Sequence, residues 1–238
     1  MAAIARIELE SRTATVFCVF LTDGAGAAAT ASTRNQESLD VLTRVGVSRT
    51  NVFFPGSEIP IADGTLVHHL DLALEHLERH MAAVDVDTIY CLAWEGGHHD
   101  HDASQLAAAA FAVRRGRLDR CIEVPLYRKL AGPFFRVFSP LGDRHSWTRR
   151  RITLRDGLRY CMLTRHYRSQ RGSWLGLLPG AILKLVFFRR EDLRPVDITR
   201  YPRRPHQGRL FYEGRFRFAY ETFEKAAAPF IAAHFPRK

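Results

Sequence analysis

The chain is 238 residues long, with 46% hydrophobic residues and a formal net charge of +10. That length and apolar content exclude an intrinsically disordered chain and leave material for one large domain or two small ones. Four isolated cysteines (Cys18, Cys91, Cys121 and Cys161) come without a Cys-x-x-Cys pair or a secretory leader, and they read as reduced core thiols of a cytoplasmic protein.

The charge is uneven. Residues 1–110 carry 6 Arg, no Lys and 15 acids, against 29 Arg plus Lys and 10 acids in residues 111–238. The second half therefore predicts a basic face that attracts phosphate, nucleic acid or an anionic membrane, more weakly as salt rises.

In chain order, "ATVFCVFLT" (14–22) is a near-continuous apolar run ending in Asp23-Gly24, as expected of a strand buried on both faces. "AGAAATAS" (25–32) reads as a loop, and a helix follows from about Arg34 to Arg44, closed by Gly46. "NVFFPG" is a short second strand. "DGTLVHHLDLALEHLERHMAAV" predicts a helix with Leu66, Leu70, Leu74 and Leu77 on one stripe, and with His68, His69, His76 and His80 facing solvent. "DTIYCLAW" (87–94) is a third buried strand, "ASQLAAAAFAVRRG" a helix and "DRCIEVPLY" a fourth strand.

This alternation implies βαβ units: an α/β, Rossmann-like, mostly parallel sheet with helices on both faces, and sites outside the carboxyl ends of its strands. We expect an α/β domain over 1–128 and an irregular, Arg-rich C-terminal extension over 129–238 packing on it. Within the extension, "WLGLLPGAILKLVFF" (174–188) is shorter than the roughly 20 apolar residues a membrane span needs. It predicts a buried helix or strand pair, with peripheral membrane contact as the alternative. His145, His166 and His206 are candidates to line a cleft.

The densest chemistry is "WEGGHHDHDAS" (94–104), directly after the third strand. Imidazoles beside carboxylates suit zinc, and hydrolytic zinc sites use three protein ligands. His98 and His101, three apart on a turn, can face one cavity, whereas His98, His99 and His101 do not all reach one ion easily. The two glycines let the backbone turn tightly. By itself the segment fits either a metal site or a solvated polar loop.

The ordered set "FLTDGAG", "TRNQESLDVLTRVGV", "VFFPG" and "CLAWEGGHHDHDAS" resembles the PIG-L/LmbE family of zinc-dependent de-N-acetylases. The resemblance covers residues 2–128 and reappears at "YRSQ" (167–170). The family's His-Pro-Asp-His motif is matched by His98-His99-Asp100-His101, with histidine replacing proline. The resemblance implies that His101 holds Zn2+, that His98 stabilises the oxyanion or donates a proton, and that Arg34, in Arg-x-x-Glu with Glu37, contacts a sugar. Asp100 is assigned with His98 to the catalytic set, as the carboxylate that orients the histidines. Asp63 is a candidate for a sugar hydroxyl or a turn former, and Asp23 shapes its loop.

The implied reaction is hydrolysis of the acetyl group of an N-acetylated, N-acetylglucosamine-like sugar conjugate, and the arginine-rich half suggests an anionic or lipid-linked aglycone. The family's first motif, His-Pro-Asp-Asp on a central strand, supplies two zinc ligands and the general base and has no counterpart here. We expect the natural chain to extend upstream to that strand. The competing expectation is a catalytically degenerate, carbohydrate-binding or scaffold member. Nucleic-acid binding is the third reading, without the spacing of a helix-turn-helix, RRM or zinc finger. Oligomeric state is not legible.

Overall fold

The computed structural model describes residues 3–26, 29–129, 135–142, 146–201 and 203–235; His145 and part of the 25–32 segment lie outside them. The chain forms two compact units, each from two separated stretches: Met1–Asp63 with Arg149–Glu191, and Gly64–Thr148 with Asp192–Lys238.

The first stretch contains α1 (Ile4–Glu10), β1 (Cys18–Val19), α2 (Ala31–Arg44), β2 (Val52–Phe53) and α3 (Pro55–Glu58). Helix α2 ends where the sequence places it but starts at Ala31, within the segment expected as a loop. The Thr30 side chain accepts from the Thr33 N–H at its start, which satisfies one orphan donor. Gly46, at φ 92°, takes the left-handed conformation past its end. Of the apolar run 14–22, only Cys18–Val19 pairs as a strand, parallel to Val52–Phe53. The rest packs as core, with Val16 and Phe20 against Leu42, Val47 and Val52.

The second stretch contains a short 3-10 turn (Leu66–His68), α4 (Leu70–His80), β3 (Ile89–Leu92), α5 (His99–Arg114), β4 (Cys121–Val124), β5 (Tyr127–Lys129) and β6 (Phe135–Val137). β3 and β4 are parallel, in register from Ile89↔Cys121 to Leu92↔Val124, and β5 and β6 are antiparallel. Leu66, Leu70 and Leu74 are buried as the stripe predicts. His68 and His69 are exposed, but the expectation for His76 is corrected: it is fully buried. Three residues after buried Ala73 it falls on the inner face of α4, and its Nδ1 shares a 3.0 Å hydrogen bond with Arg79.

Beyond β6 the chain returns to the first unit through β7 (Thr148–Arg151), α6 (Leu154–Leu163), α7 (Arg171–Ile182) and a π-helical turn (Leu183–Phe187). Strand β8 (Arg190–Pro195) carries it back to the second, which ends in α8 (Phe211–Arg215) and α9 (Tyr220–His234). The arginine-rich portion is thus substantially helical, and it also adds a strand the alternation did not foresee: β8 runs antiparallel to β4, with Glu123 opposite Arg194. The fold is mixed α/β, with parallel and antiparallel strands. Every cysteine is a free thiol, Cys121 buried and the other three half-buried.

Candidate functional site

The turn from β3 into α5 is built by backbone necessity and buried carboxylates. Gly96 has φ 71°, and a Cβ on Gly97 would lie 2.4 Å from the Tyr127 carbonyl oxygen, so only glycine allows this approach. The Asp102 carboxylate accepts from the backbone N–H of Glu95 (3.1 Å) and Gly96 (3.3 Å), folding the turn back onto the helix. Glu95 in turn accepts from Leu126 N–H (2.8 Å) and Tyr127 N–H (2.7 Å). Under the turn, Glu123 takes Arg194 Nε at 2.7 Å, Arg200 Nη1 at 3.1 Å and the Gln105 amide. Hydrogen bonds to a charged acceptor contribute about 1.5–3 kcal/mol each, and losing one partner here exposes the other's full desolvation penalty. Burial pushes the Glu95 carboxyl well above the usual range and Asp102 up to about 7, against the pull of their backbone donors.

Helix α5 starts at His99, so the histidines occupy its N-cap and first turn rather than a solvated loop. His98 is the N-cap, and its Nδ1 accepts from Asp100 N–H at 3.1 Å. Burial, reinforced by the neighbouring imidazoles of His101 and His99, lowers the His98 pKa to about 2. A neutral ring whose Nδ1 accepts must carry its proton on Nε2. His99 is the same tautomer, reached from the other side of the ring. Its Nε2 lies 2.8 Å from the Gly64 carbonyl oxygen, to which it donates, so Nδ1 holds a lone pair, buried and without a hydrogen-bond partner. His101 Nδ1 is likewise buried and unpartnered, and burial lowers its pKa to about 3.

Asp100 accepts from the N–H groups of Gly64 and, at 3.1 Å, Leu66. It thereby holds the turn whose carbonyl receives His99, and so orients that ring through the backbone. Aromatic rings close the site. His99 stacks between His98 (centroids 4.5 Å) and Phe218 (4.5 Å), Phe216 stands edge-on to His98 at 4.6 Å, and Tyr127 meets His101 at 5.7 Å. His98 and His101 centroids are 5.2 Å apart. His98, His99 and Asp100 form a metal-capable group whose ligand atoms all lie within 4.8 Å of one another. Neutral imidazoles with unpartnered buried nitrogens fit a borderline cation such as zinc, and the His99 link to a backbone carbonyl is the outer-shell bond metal-ligating histidines make.

The remaining two sequence candidates meet in the first unit. Arg34 lies on the first turn of α2, its Nε buried without a hydrogen-bond partner. Desolvation raises the Asp63 pKa; Arg34 pulls it down and Asp23 pushes it up. Asp23 accepts from Ala25 N–H and Asp63 N–H, both at 3.0 Å, which is the loop-shaping role its Asp-Gly context predicts. Glu37 is buried and accepts from Ser169 N–H (2.8 Å) and Oγ (2.6 Å). Arg-x-x-Glu is therefore anchored by the "YRSQ" segment. His166 and His206 are both half-buried.

Sequence reasoning passed over Glu95, Asp102, Glu123, and the rings of Tyr212, Phe216 and Phe218. The carboxylates did leave a signal: an acid standing alone against an apolar run, as in "CLAWEGG" and "CIEVPLY", needs a buried partner. The rings arrive from a distant segment and left none.

Residues 2–112, which include the histidine turn, match the model of the PIG-L family, described as GlcNAc-PI de-N-acetylase. That stretch is PIG-L-family sequence. No curated protein and no solved structure matches the chain significantly. The match points to a hydrolase of the deacetylase type, and the metal-capable group of His98, His99 and Asp100 stands inside the matched stretch.

Proposed function

We propose that this chain is a zinc-dependent de-N-acetylase acting on an N-acetylated sugar conjugate, N-acetylglucosamine-like and with an anionic or lipid-linked aglycone. The observation that carries the reading is a pair of Nε2-protonated imidazoles at the start of α5, one with Nδ1 occupied (His98) and one with Nδ1 open (His99), within a stretch that matches the PIG-L family. By the resemblance His101 would hold the ion, through an Nδ1 that is buried and unpartnered, and the likewise open Nδ1 of His99 is a second candidate ligand, from the 98–100 group. When bound, zinc supplies Lewis acidity toward the acetyl carbonyl.

His98 has the other role. Its Nδ1 is occupied by the Asp100 N–H, so its Nε2–H is the group offered to substrate. As a neutral donor it stabilises negative charge developing on the acetyl oxygen, a contribution of about 3–4 kcal/mol for one well-placed donor. Asp100 keeps the 64–66 turn, and through it His99, in place. Arg34 and Asp63 bind the sugar conjugate, Arg34 through charge and Asp63 through a hydroxyl. A Rossmann-like arrangement of the parallel strands and a cytoplasmic location belong to the same reading.

A second reading, a carbohydrate-binding member that has lost the reaction, is favoured by one observation. Both Asp100 oxygens are engaged by backbone N–H groups, which leaves this carboxylate to hold the turn and not to act as a base. Acetate release from an N-acetylglucosamine conjugate separates the two. The first reading expects release that stops on metal depletion, returns with zinc and falls by about 10²–10³ in H98Q. Metal and sugar binding without acetate release establishes the second, and binding of neither sinks both.

A further inference from the structure

Of the ten large apolar side chains exposed among the described residues, seven fall between positions 154 and 188: Leu154, Leu158, Met162, Leu175, Leu183, Phe187 and Phe188. Chance scatter of surface leucines does not concentrate them so. In α6, Gly157, Tyr160 and Leu163 form the buried face. Leu154, Leu158 and Met162, spaced by four, form a second apolar stripe that faces out. Gly157 brings the two limbs close: a Cβ there would lie 2.2 Å from the Leu185 carbonyl oxygen. The outer side of this helical hairpin carries a groove of about 410 Å³ lined by Leu158, Cys161, Met162, Leu178, Ile182 and Val186. Leu175 (74% exposed), Phe187 (72%) and Phe188 project from the α7 limb.

The surroundings decide what such a face meets. Residues 149–190 contain ten Arg and one Lys against a single acid, Asp156, and Arg151, Arg155, Arg165, Arg168, Arg171 and Arg189 are exposed. A second copy of this chain would bring the same positive charge against it. Nucleic acid would satisfy the guanidinium groups but not the phenylalanine and leucine side chains. No helix among the described residues is long and apolar enough to cross a membrane.

We propose that the α6–α7 hairpin is a peripheral docking surface for an anionic lipid bilayer. Leu175, Leu183, Phe187 and Phe188 enter the headgroup–acyl boundary, and the arginine rim pairs with lipid phosphates. The inference stands on this surface alone and does not depend on the reaction proposed above.

The test is co-flotation of the full chain with vesicles of phosphatidylcholine alone or with about 30 mol% phosphatidylglycerol. Binding is expected on the anionic vesicles, at least about tenfold stronger than on the neutral ones, and reduced when salt rises from about 0.1 to about 0.5 M. L175Q/F187Q/F188Q and R165E/R168E/R171E should each weaken it at least about tenfold while far-UV circular dichroism stays unchanged, these side chains being exposed. Equal binding to both vesicle types, no vesicle binding, or retention that only the arginine variant weakens overturns the proposal. So does a dimer in sedimentation velocity that the apolar variant dissociates without any vesicle binding.

Discussion

Two regions break the rule of apolar inside and polar outside, in opposite directions. The first turn of α5 buries His99, Asp100 and Asp102, whereas the α6–α7 hairpin leaves leucines and phenylalanines in solvent. Burial of the first set is tolerable because most polar atoms have a partner, and the exceptions on this turn are informative: the Nδ1 atoms of His99 and His101 and one oxygen of Asp102. Exposure of the second set has no internal compensation at all. A departure that is locally satisfied points to a site for a small ligand, and one that is not points to an external surface.

The comparison is sharpened most by H98Q, with the expected drop of about 10²–10³ in acetate release and unchanged metal content. Replacing His99 or His101 by alanine should instead reduce zinc affinity by about 100-fold or more, read by a competitive chelator titration. If H98Q removes metal, or H99A and H101A leave it unchanged, the division of labour between donor and ligand rings is wrong. E37A tests the other unit: unpairing Ser169 should cost about 2–3 kcal/mol in urea unfolding, with zinc affinity unchanged.

A last effect, small within any one pH unit, concerns pH. His98 and His101 have folded pKa values of about 2 and about 3, below the free value of 6.5. The unfolded chain therefore binds more protons below pH 6.5, and their contribution to stability is lost as pH falls from 6.5 toward 3. Each imidazole can add a slope of up to about 1.4 kcal/mol per pH unit. Asp102 works the other way. Its folded pKa is raised from 3.8 to about 7, so its contribution is lost as pH rises between those values. Metal-free H98Q/H101Q should flatten the acid limb of the urea midpoint against pH, and D102N the opposing one. Unaltered curves in both would mean these groups are not buried as described.

Much of the frame was legible in the sequence. The end of α2, the leucine stripe of α4, the parallel β3–β4 pair and the position of the histidines at a strand's carboxyl end follow from periodicity and caps, which are local signals; α2 begins three residues earlier than expected, at Ala31. His76 was misjudged because charged neighbours mask a single inward position. β8 was missed because its pairing with β4 is set by Arg194 meeting a buried Glu123 from 71 residues away. At the site, the spacing of His98 and His101 was readable. The tautomers were not, because they depend on Gly64 and the Asp100 backbone, and one of those partners lies more than 30 residues upstream. The apolar segment at 174–188 reads as a buried helix or strand pair, and the structure corrects this in part: Leu177, Ala181 and Leu185 are buried, but Leu175, Leu183, Phe187 and Phe188 are exposed, a division the segment's composition does not encode.

The most direct test is long-range ¹H–¹⁵N correlation of the histidine rings in the full chain, metal-free and with zinc. The account predicts a His98 ring that is neutral and protonated on Nε2 at pH 5, a His99 ring with the same protonation, and zinc-induced shifts at Nδ1 of His99 and His101 but not of His98. Rings that protonate near pH 6.5, or shifts confined to His98, would contradict it.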